Sequence, residues 1–84
     1  MSHFYILKTN KQSYYIGSTD NLETRLKYHQ GGRVKSTKDK LPIELVFKEY
    51  YKTRAEAQKK EYKVKGWKSK KMIERLIKLG PHQK

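Results

Sequence analysis

The fold of this 84-residue chain is decided by one stretch, Tyr14-Tyr15-Ile16-Gly17-Ser18-Thr19-Asp20-Asn21-Leu22-Glu23-Thr24-Arg25-Leu26-Lys27-Tyr28-His29. It opens with β-rich residues that end at Gly17, passes through a polar turn and continues as a helix. Asp20 followed three residues later by Glu23 has the spacing of a capping box, which predicts a helix that begins near Asn21. The stretch therefore predicts a strand that leads directly into a helix.

The predicted helix has an apolar stripe with polar residues beside it. Leu22 and Leu26 are four residues apart and share the inward face, while Arg25 and His29 lie on the edge that adjoins it. Together with Tyr15 at the strand end, they would group a hydroxyl, a guanidinium and an imidazole beside a glycine that lets a ligand approach the backbone. That grouping suits a phosphate. The alternative is a half-buried tyrosine with two solvated side chains, and this stretch alone favours the alternative.

Length and charge change that balance. The chain has 21 Lys and Arg against 8 Asp and Glu, a net charge of +13, which directs it toward polyanions, nucleic acid before acidic membranes. Hydrophobic residues make up 35% and recur periodically, so we expect one folded domain spanning residues 1–84. The absence of cysteine excludes disulfides and thiolate zinc sites.

No targeting or membrane segment is evident in the sequence. Lys8 interrupts the N-terminal apolar residues before a signal-peptide core could form, and no apolar run approaches membrane-spanning length. We expect a cytoplasmic protein of bacterial type that works as a monomer without a membrane.

The N-terminal residues predict a hairpin. His3–Leu7 is rich in aromatic and branched residues and reads as a strand, and a polar turn separates it from the second strand. With the turn centred near Asn10 or Lys11, Tyr5 and Tyr15 should lie almost opposite each other. Such a pair is most often only a stabilising contact between strands.

A basic segment follows the first helix. Gly31-Gly32 is a helix stop signal, and residues 33–40 then show no periodicity, which predicts an exposed basic loop. Its cations are Arg33, Lys35, Lys38 and Lys40. A solvated charge run and a loop that contacts phosphates fit this segment equally well.

The clearest strand is 43–51, which Pro42 precedes as at a strand start or sheet edge. Alternation predicts one face with Ile43, Leu45 and Phe47 and the other with Val46 and Tyr50. Thr53 and Glu56 form a second capping box that opens a helix to about Lys65, which Gly66-Trp67 should break. Ser69 caps a last helix whose apolar stripe comprises Met72, Ile73, Leu76 and Ile77.

Glu61 is the unusual residue of the second predicted helix, since it shares a stripe with Ala57 and Val64 on a strongly basic segment. It could pair with Lys65 one turn later. It could also point into a cleft and hold a hard divalent cation, mostly through waters. Seven lysines from Lys59 to Lys71 surround Tyr62 and Trp67, a mixture that suits nucleic acid through charge and stacking. Trp67 could instead fill the core between the last two helices.

These elements predict an α+β fold in the order β-β-α-β-α-α, with a three-stranded antiparallel sheet covered by helices. The chain resembles the GIY-YIG nuclease superfamily. The residues similar to its motifs are Phe4-Tyr5-Ile6, Tyr15-Ile16-Gly17, Arg25, His29 and Glu61. The chain most resembles its small stand-alone members, which are grouped with the nuclease domain of the DNA-repair excinuclease C subunit. The similarity runs from about Tyr5 to Ile77.

The resemblance implies a metal-dependent DNA endonuclease. Tyr5 and Tyr15 match the two motif tyrosines, one of which would activate or position the attacking water. Arg25 matches the arginine that holds the scissile phosphate, and His29 a position linked to proton transfer or water positioning. Glu61 matches the glutamate that binds a single Mg²⁺ or Mn²⁺. A free tyrosine has a pKa near 10, so it is a poor base at pH 7 unless cations favour its phenolate form. Arg25, His29, the many lysines and a nearby metal should act in that direction.

Two departures from the family pattern stand out. His3 replaces the glycine of the first motif, and the asparagine that many members carry near the domain end is absent, since Asn10 and Asn21 are the only asparagines. A non-catalytic nucleic-acid-binding module therefore stays open beside the nuclease, and a basic structural protein would explain only the charge. Arg33, Lys35, Lys38, Lys65 and Trp67 are the candidate nucleic-acid contacts. The resemblance leaves the choice among single-stranded, duplex or branched DNA and RNA open, and a protein partner could supply targeting.

Overall fold

The computed structural model describes residues 2–80, apart from the side chain of Ser36. Its elements are β1 (Ser2–Lys8), β2 (Tyr14–Thr19), α1 (Leu22–Gln30), α2 (Lys35–Lys38), β3 (Glu44–Tyr51), α3 (Arg54–Trp67) and α4 (Lys70–Leu79). The strands form one antiparallel sheet in the order β2-β1-β3. The predicted α+β class and the order of the main elements are confirmed, with a one-turn helix, α2, added between α1 and β3.

The central strand β1 is buried on both faces, because helices cover both sides of the sheet. On one face Phe4 and Ile6 pack in a core with Val64 of α3, and α4 adds Ile73, Leu76 and Ile77. On the other face Tyr5 and Leu7 pack with Leu22 and Leu26 of α1. The predicted inward pair of α1 is confirmed, whereas Met72 of the predicted α4 stripe is 44% exposed.

The hairpin register differs from the predicted one. Tyr5 lies opposite Gly17, and Tyr15 lies opposite Leu7, so the two tyrosines are diagonal neighbours on one face. The turn is centred on Lys11 because the Thr9 N–H donates to the Ser13 carbonyl at 2.9 Å. This register brings Tyr5 over a residue that has no side chain.

A bulge in β3 overturns the predicted alternation of that strand. Leu45 lies opposite Leu7 and Phe47 opposite Ile6, so Val46 is the extra residue. As a result Leu45 packs on the α1 face while Phe47 packs on the α3 face, instead of sharing one face.

The helix ends correct two local predictions and confirm two others. The α1 cap is Asn21, whose side chain accepts from the Thr24 N–H at 3.1 Å, and not Asp20, which accepts from the Ser2 hydroxyl and pairs with Arg54. Helix α3 continues through Gly66 and Trp67, because Trp67 packs against the Phe4 core, and ends where Lys68 adopts φ 49°. Thr53 and Ser69 cap α3 and α4 as predicted.

The prediction of an exposed loop at residues 33–40 is correct only in part. Lys35 and Lys38 are exposed, but the short helix α2 forms here, and its residue Thr37 is fully buried. Pro81 and the tail 82–84 lie outside the described residues. In residues 2–80 no helix combines the length and the apolar character that a bilayer crossing requires.

Candidate active site

Gly17 makes room for the hydroxyl of Tyr5. A Cβ atom at position 17 would lie 2.7 Å from the Tyr5 hydroxyl oxygen and 3.2 Å from Cε2 of Tyr15. Contacts below 3.0 Å are not tolerated without movement, so the glycine is needed to seat Tyr5 across β2. The space at Gly17 that was expected to admit a ligand is thus occupied by the Tyr5 side chain.

Tyr5 begins a buried chain of hydrogen bonds. Its hydroxyl lies 3.2 Å from Nε2 of His29, and Nδ1 of His29 lies 2.9 Å from the hydroxyl oxygen of Thr37. The Thr37 hydroxyl can donate to the Val34 carbonyl at 3.4 Å, which leaves its oxygen to accept from Nδ1–H. In that arrangement the lone pair of Nε2 faces Tyr5 and accepts a hydrogen bond from its hydroxyl.

The pKa shifts within this pair keep the proton on the tyrosine. Burial, opposed by the Arg25 guanidinium, raises the pKa of Tyr5 to about 12. Burial and the charge of Arg25 lower the pKa of His29 to about 4, so the imidazole is neutral at pH 7. Arg25 favours the phenolate form of Tyr5, as expected, but burial outweighs it and a neutral His29 adds no charge, so the hydroxyl is protonated at pH 7.

Arg25 and Tyr15 complete the group on this face of the sheet. Hydrogen bonding to Tyr5 and Tyr15 raises the pKa of Arg25, so the guanidinium is charged at every physiological pH. The Tyr15 ring stands edge-on to His29, with 4.7 Å between centroids, and is half-buried where Tyr5 is 1% exposed. Helix α1 thus presents Arg25 and His29 to both tyrosines, as the sequence predicted.

Glu61 approaches from the opposite face of the sheet, across the edge strand β2. One carboxylate oxygen accepts from the Ser18 hydroxyl at 2.6 Å, and the other pairs with the Lys65 ammonium at 2.7 Å. The side chain is 15% exposed, and its negative charge helps to raise the pKa of Tyr5. The predicted pair with Lys65 is confirmed, whereas the role of Glu61 as a cation ligand stays a prediction.

The donors around Glu61 fit one kind of metal. Among residues 2–80 no group of three or more His, Asp and Glu side chains could cage a cation. One carboxylate with the neighbouring Ser18 hydroxyl instead suits Mg²⁺ or Mn²⁺ that keeps several waters and takes substrate phosphate oxygens. The Lys65 ammonium competes for one oxygen of that carboxylate.

The predicted nucleic-acid contacts are spread over two regions. The Arg33 guanidinium lies 5.7 Å from the Tyr28 ring centroid, and Lys35 and Lys38 extend from α2 beside α1. Lys65 is at Glu61, while Trp67 is half-buried against the core. The structure therefore groups the catalytic candidates closely and the cations loosely.

Sequence reasoning missed two residues of the site. Thr37, which fixes one nitrogen of His29, lies in a segment without periodicity, and Ser18, which holds Glu61, was read only as part of a polar turn. Ser18 directly follows Tyr15-Ile16-Gly17, and that adjacency is the signal that could have found it.

Comparison with known proteins places these residues in a family. A family model described as the GIY-YIG catalytic domain matches residues 1–74. The chain belongs to the GIY-YIG family. The matched region contains all five catalytic and metal-binding candidates, Tyr5, Tyr15, Arg25, His29 and Glu61.

Similar GIY-YIG proteins are small as well. A UPF0213 protein of Clostridium perfringens is 42% identical over 66 residues, which are 77% of this chain and 71% of that protein. A UPF0213 protein of Staphylococcus aureus is 40% identical over 79 residues, 92% of this chain and 95% of its own. The solution NMR structure of a UPF0213 protein from Bacillus halodurans has a TM-score of 0.62 at 33% identity, covering 94% of this chain and 85% of the other.

Proposed function

We propose that this GIY-YIG protein is a metal-dependent endonuclease that hydrolyses phosphodiester bonds in DNA with little sequence specificity. The observation that carries the proposal is the convergence of Tyr5, Arg25 and His29 on one side of β2 with Glu61 on the other. The net charge of +13 supports a polyanionic substrate. A core built only for stability does not require a guanidinium against two tyrosine hydroxyls.

The tyrosines and His29 handle the proton of the attacking water. A tyrosine whose pKa is about 12 is a weak base when its hydroxyl stays protonated. Because Tyr5 keeps its proton in the free protein, its phenolic oxygen would take a proton from water only as the hydroxyl passes its own proton to Nε2 of His29 in the same step. As the water oxygen bonds to phosphorus, the bond from phosphorus to the leaving oxygen breaks. The leaving oxygen takes a proton from solvent, and the Tyr5–His29 pair returns its extra proton to solvent.

Arg25 and Glu61 supply the electrostatic part. The Arg25 guanidinium binds the scissile phosphate and stabilises the charge that grows on its oxygens. Glu61 would hold one Mg²⁺ or Mn²⁺ with the help of waters, and the cation would polarise a phosphoryl oxygen. Lys65 must release one oxygen of Glu61 before a cation can use it.

We propose that the 84 residues act as one cytoplasmic unit and as a monomer. A domain this small has little surface beyond its site to recognise a sequence, so targeting in DNA repair or a related process would come from DNA structure or a protein partner. Single-stranded, duplex and branched DNA and RNA are therefore the substrates to compare first.

A cleavage panel with matched variants tests the proposal. Wild-type protein should cut DNA with Mg²⁺ or Mn²⁺ and spare it with EDTA. Arg25→Ala and Glu61→Ala should abolish cleavage while melting temperature and most DNA binding persist, because each removes a group used chiefly in the transition state. The exposed residues Arg75 and Glu23 provide controls, and their alanine variants should cut normally.

The alternative is a nucleic-acid-binding module without catalysis, which the missing C-terminal asparagine favours. It predicts DNA binding by wild-type protein with no metal-dependent cleavage of any substrate in the panel. If the wild-type protein cuts DNA and Arg25→Ala or Glu61→Ala cuts it at the same rate, the proposed mechanism is wrong although the protein is a nuclease.

A further inference from the structure

A cleft of about 390 Å³ lies beside the candidate active site, along β2 and the junction of α3 with α4. Of the residues that line it, Ile16 and Val64 are buried, while Tyr14 and Ile73 are half-buried. This cleft, here called the junction cleft, includes Ser13, Tyr14, Tyr15, Ile16, Val64, Lys65, Lys68, Ser69, Lys70 and Ile73. It therefore combines an apolar interior with a basic rim.

The junction cleft is continuous with the candidate active site at two residues. Tyr15 lines it and also stands against His29, and Lys65 lines it and also pairs with Glu61 at 2.7 Å. A strand of nucleic acid whose scissile phosphate lies near Arg25 would thus have a neighbouring nucleotide at the cleft. No carboxylate is among the residues that line it, so its charge complements phosphate.

Tyr14 is the residue best suited to contact a base. Its hydroxyl donates to a carboxylate oxygen of Glu74 on α4 at 3.2 Å, which ties the ring to the cleft wall. An aromatic ring on an apolar wall can stack with any base, because every base has a π-face. The lysines at the rim, Lys65, Lys68 and Lys70, suit the flanking phosphates.

We propose that the junction cleft binds one unstacked nucleotide of the substrate strand, with the base against Tyr14 and its phosphates at Lys68 and Lys70. This proposal rests on the nuclease function proposed above. A base held in this way must be unpaired, so the cleft selects strands with at least one unpaired nucleotide beside the cut.

The test measures binding in EDTA, so that no cleavage occurs, with two strands of equal length. One is oligothymidine and the other is the same deoxyribose-phosphate chain without bases. Tyr14→Ala should weaken oligothymidine binding roughly tenfold and leave the base-free strand unaffected, as expected from the usual strength of base stacking on an aromatic ring. Tyr14→Phe keeps the ring and should bind both strands like wild type.

The lysines provide an independent arm. Lys68→Met and Lys70→Met should lower affinity for both strands more than Lys59→Met and Lys63→Met, which remove the same charge from exposed positions of α3 outside the cleft. Equal losses for all four lysines, or equal losses of Tyr14→Ala on both strands, would overturn the proposal. Either result leaves the nuclease test with Arg25 and Glu61 unaffected, so the two proposals fail separately.

Discussion

His29 occupies an environment that opposes its charge. It is fully buried, its Nδ1 is fixed by Thr37 and its Nε2 faces the Tyr5 hydroxyl, while the nearby Arg25 guanidinium repels a second positive charge. A neutral imidazole is the form that can accept a proton. Tyr5 and His29 are therefore best treated as one hydrogen-bonded unit, in which the hydroxyl donates to the neutral imidazole and keeps its proton in the free protein.

The tyrosine hydroxyls separate catalysis from packing. If Tyr5 and Tyr15 only pack against each other, phenylalanine should replace either with a small loss of stability, because the contact between the rings, whose centroids lie 6.3 Å apart, is retained. If one hydroxyl activates or positions water, its phenylalanine variant should lose about 10²–10⁴-fold in the chemical step. We expect Tyr5→Phe to be the more damaging change, because its hydroxyl is the one bonded to His29. Single-turnover cleavage measures the effect, with DNA binding and melting as controls, and full activity in both variants would leave the tyrosines with structural roles.

The buried imidazole predicts acid sensitivity. The pKa of His29 is about 4 in the folded protein and about 6.5 when unfolded, so the unfolded chain binds more protons between these values. Stability is thus fully present above pH 6.5 and falls as the pH drops toward 4, by up to about 3 kcal/mol from this residue. Urea unfolding across that range should show a shallower loss in His29→Gln than in wild type. The pKa of His3 is also lowered, so a slope that is unchanged in His29→Gln would assign the effect elsewhere.

At the scale of elements, alanine should have opposite effects on stability at two glycine positions. Gly17 in β2 faces the Tyr5 hydroxyl, whereas a Cβ at Gly66 in α3 would meet nothing within 4 Å. Gly17→Ala should destabilise the fold by roughly 1–3 kcal/mol because the tyrosine must move. Gly66→Ala should stabilise it by roughly 0.5–1 kcal/mol because alanine favours a helix. Chemical denaturation measures both, and a Gly17→Ala variant as stable as wild type would show that Tyr5 relaxes freely.

Elements with a strong local signal could be predicted from the sequence. Alternating residues defined β1, and Thr53 and Ser69 have the side chains that cap helices. The errors arose where a tertiary contact overrides a local rule. Trp67 continues α3 past Gly66 because its ring packs in the core, and the bulge at Val46 reverses a face because pairing with β1 requires it.

The same distinction holds for the candidate site. Tyr15, Arg25 and His29 lie within one stretch whose spacing places them together, and the family resemblance added Tyr5 and Glu61. Ser18 and Thr37 contact residues 43 and 8 positions away, and such partners follow from packing and not from periodicity. The effect of burial on the pKa of Tyr5 could not be predicted for a related reason, because that burial depends on the whole sheet and its covering helices.

At the scale of the molecule, the net charge is only weakly offset by internal ion pairs. In the described residues three acidic side chains lie within 4 Å of a cation, namely Asp20 with Arg54, Glu49 with Lys60 and Glu61 with Lys65. With 21 basic residues, most positive charge is left for solvent or a ligand. Binding of nucleic acid should therefore be largely independent of sequence and driven by release of counterions.

The basic segment after α1 predicts how binding depends on salt. Replacing Arg33, Lys35, Lys38 and Lys40 together with glutamine should weaken binding and make the plot of log affinity against log salt shallower. Each lost phosphate contact removes about 0.9 from the slope on duplex DNA and about 0.7 on single strands. The same four-charge change at Lys52, Lys59, Lys63 and Lys71 controls for net charge alone. A larger effect of the first set would make residues 33–40 a contact surface. Equal effects would mean that only the overall field matters, and affinity that barely changes with salt would contradict nucleic-acid binding itself.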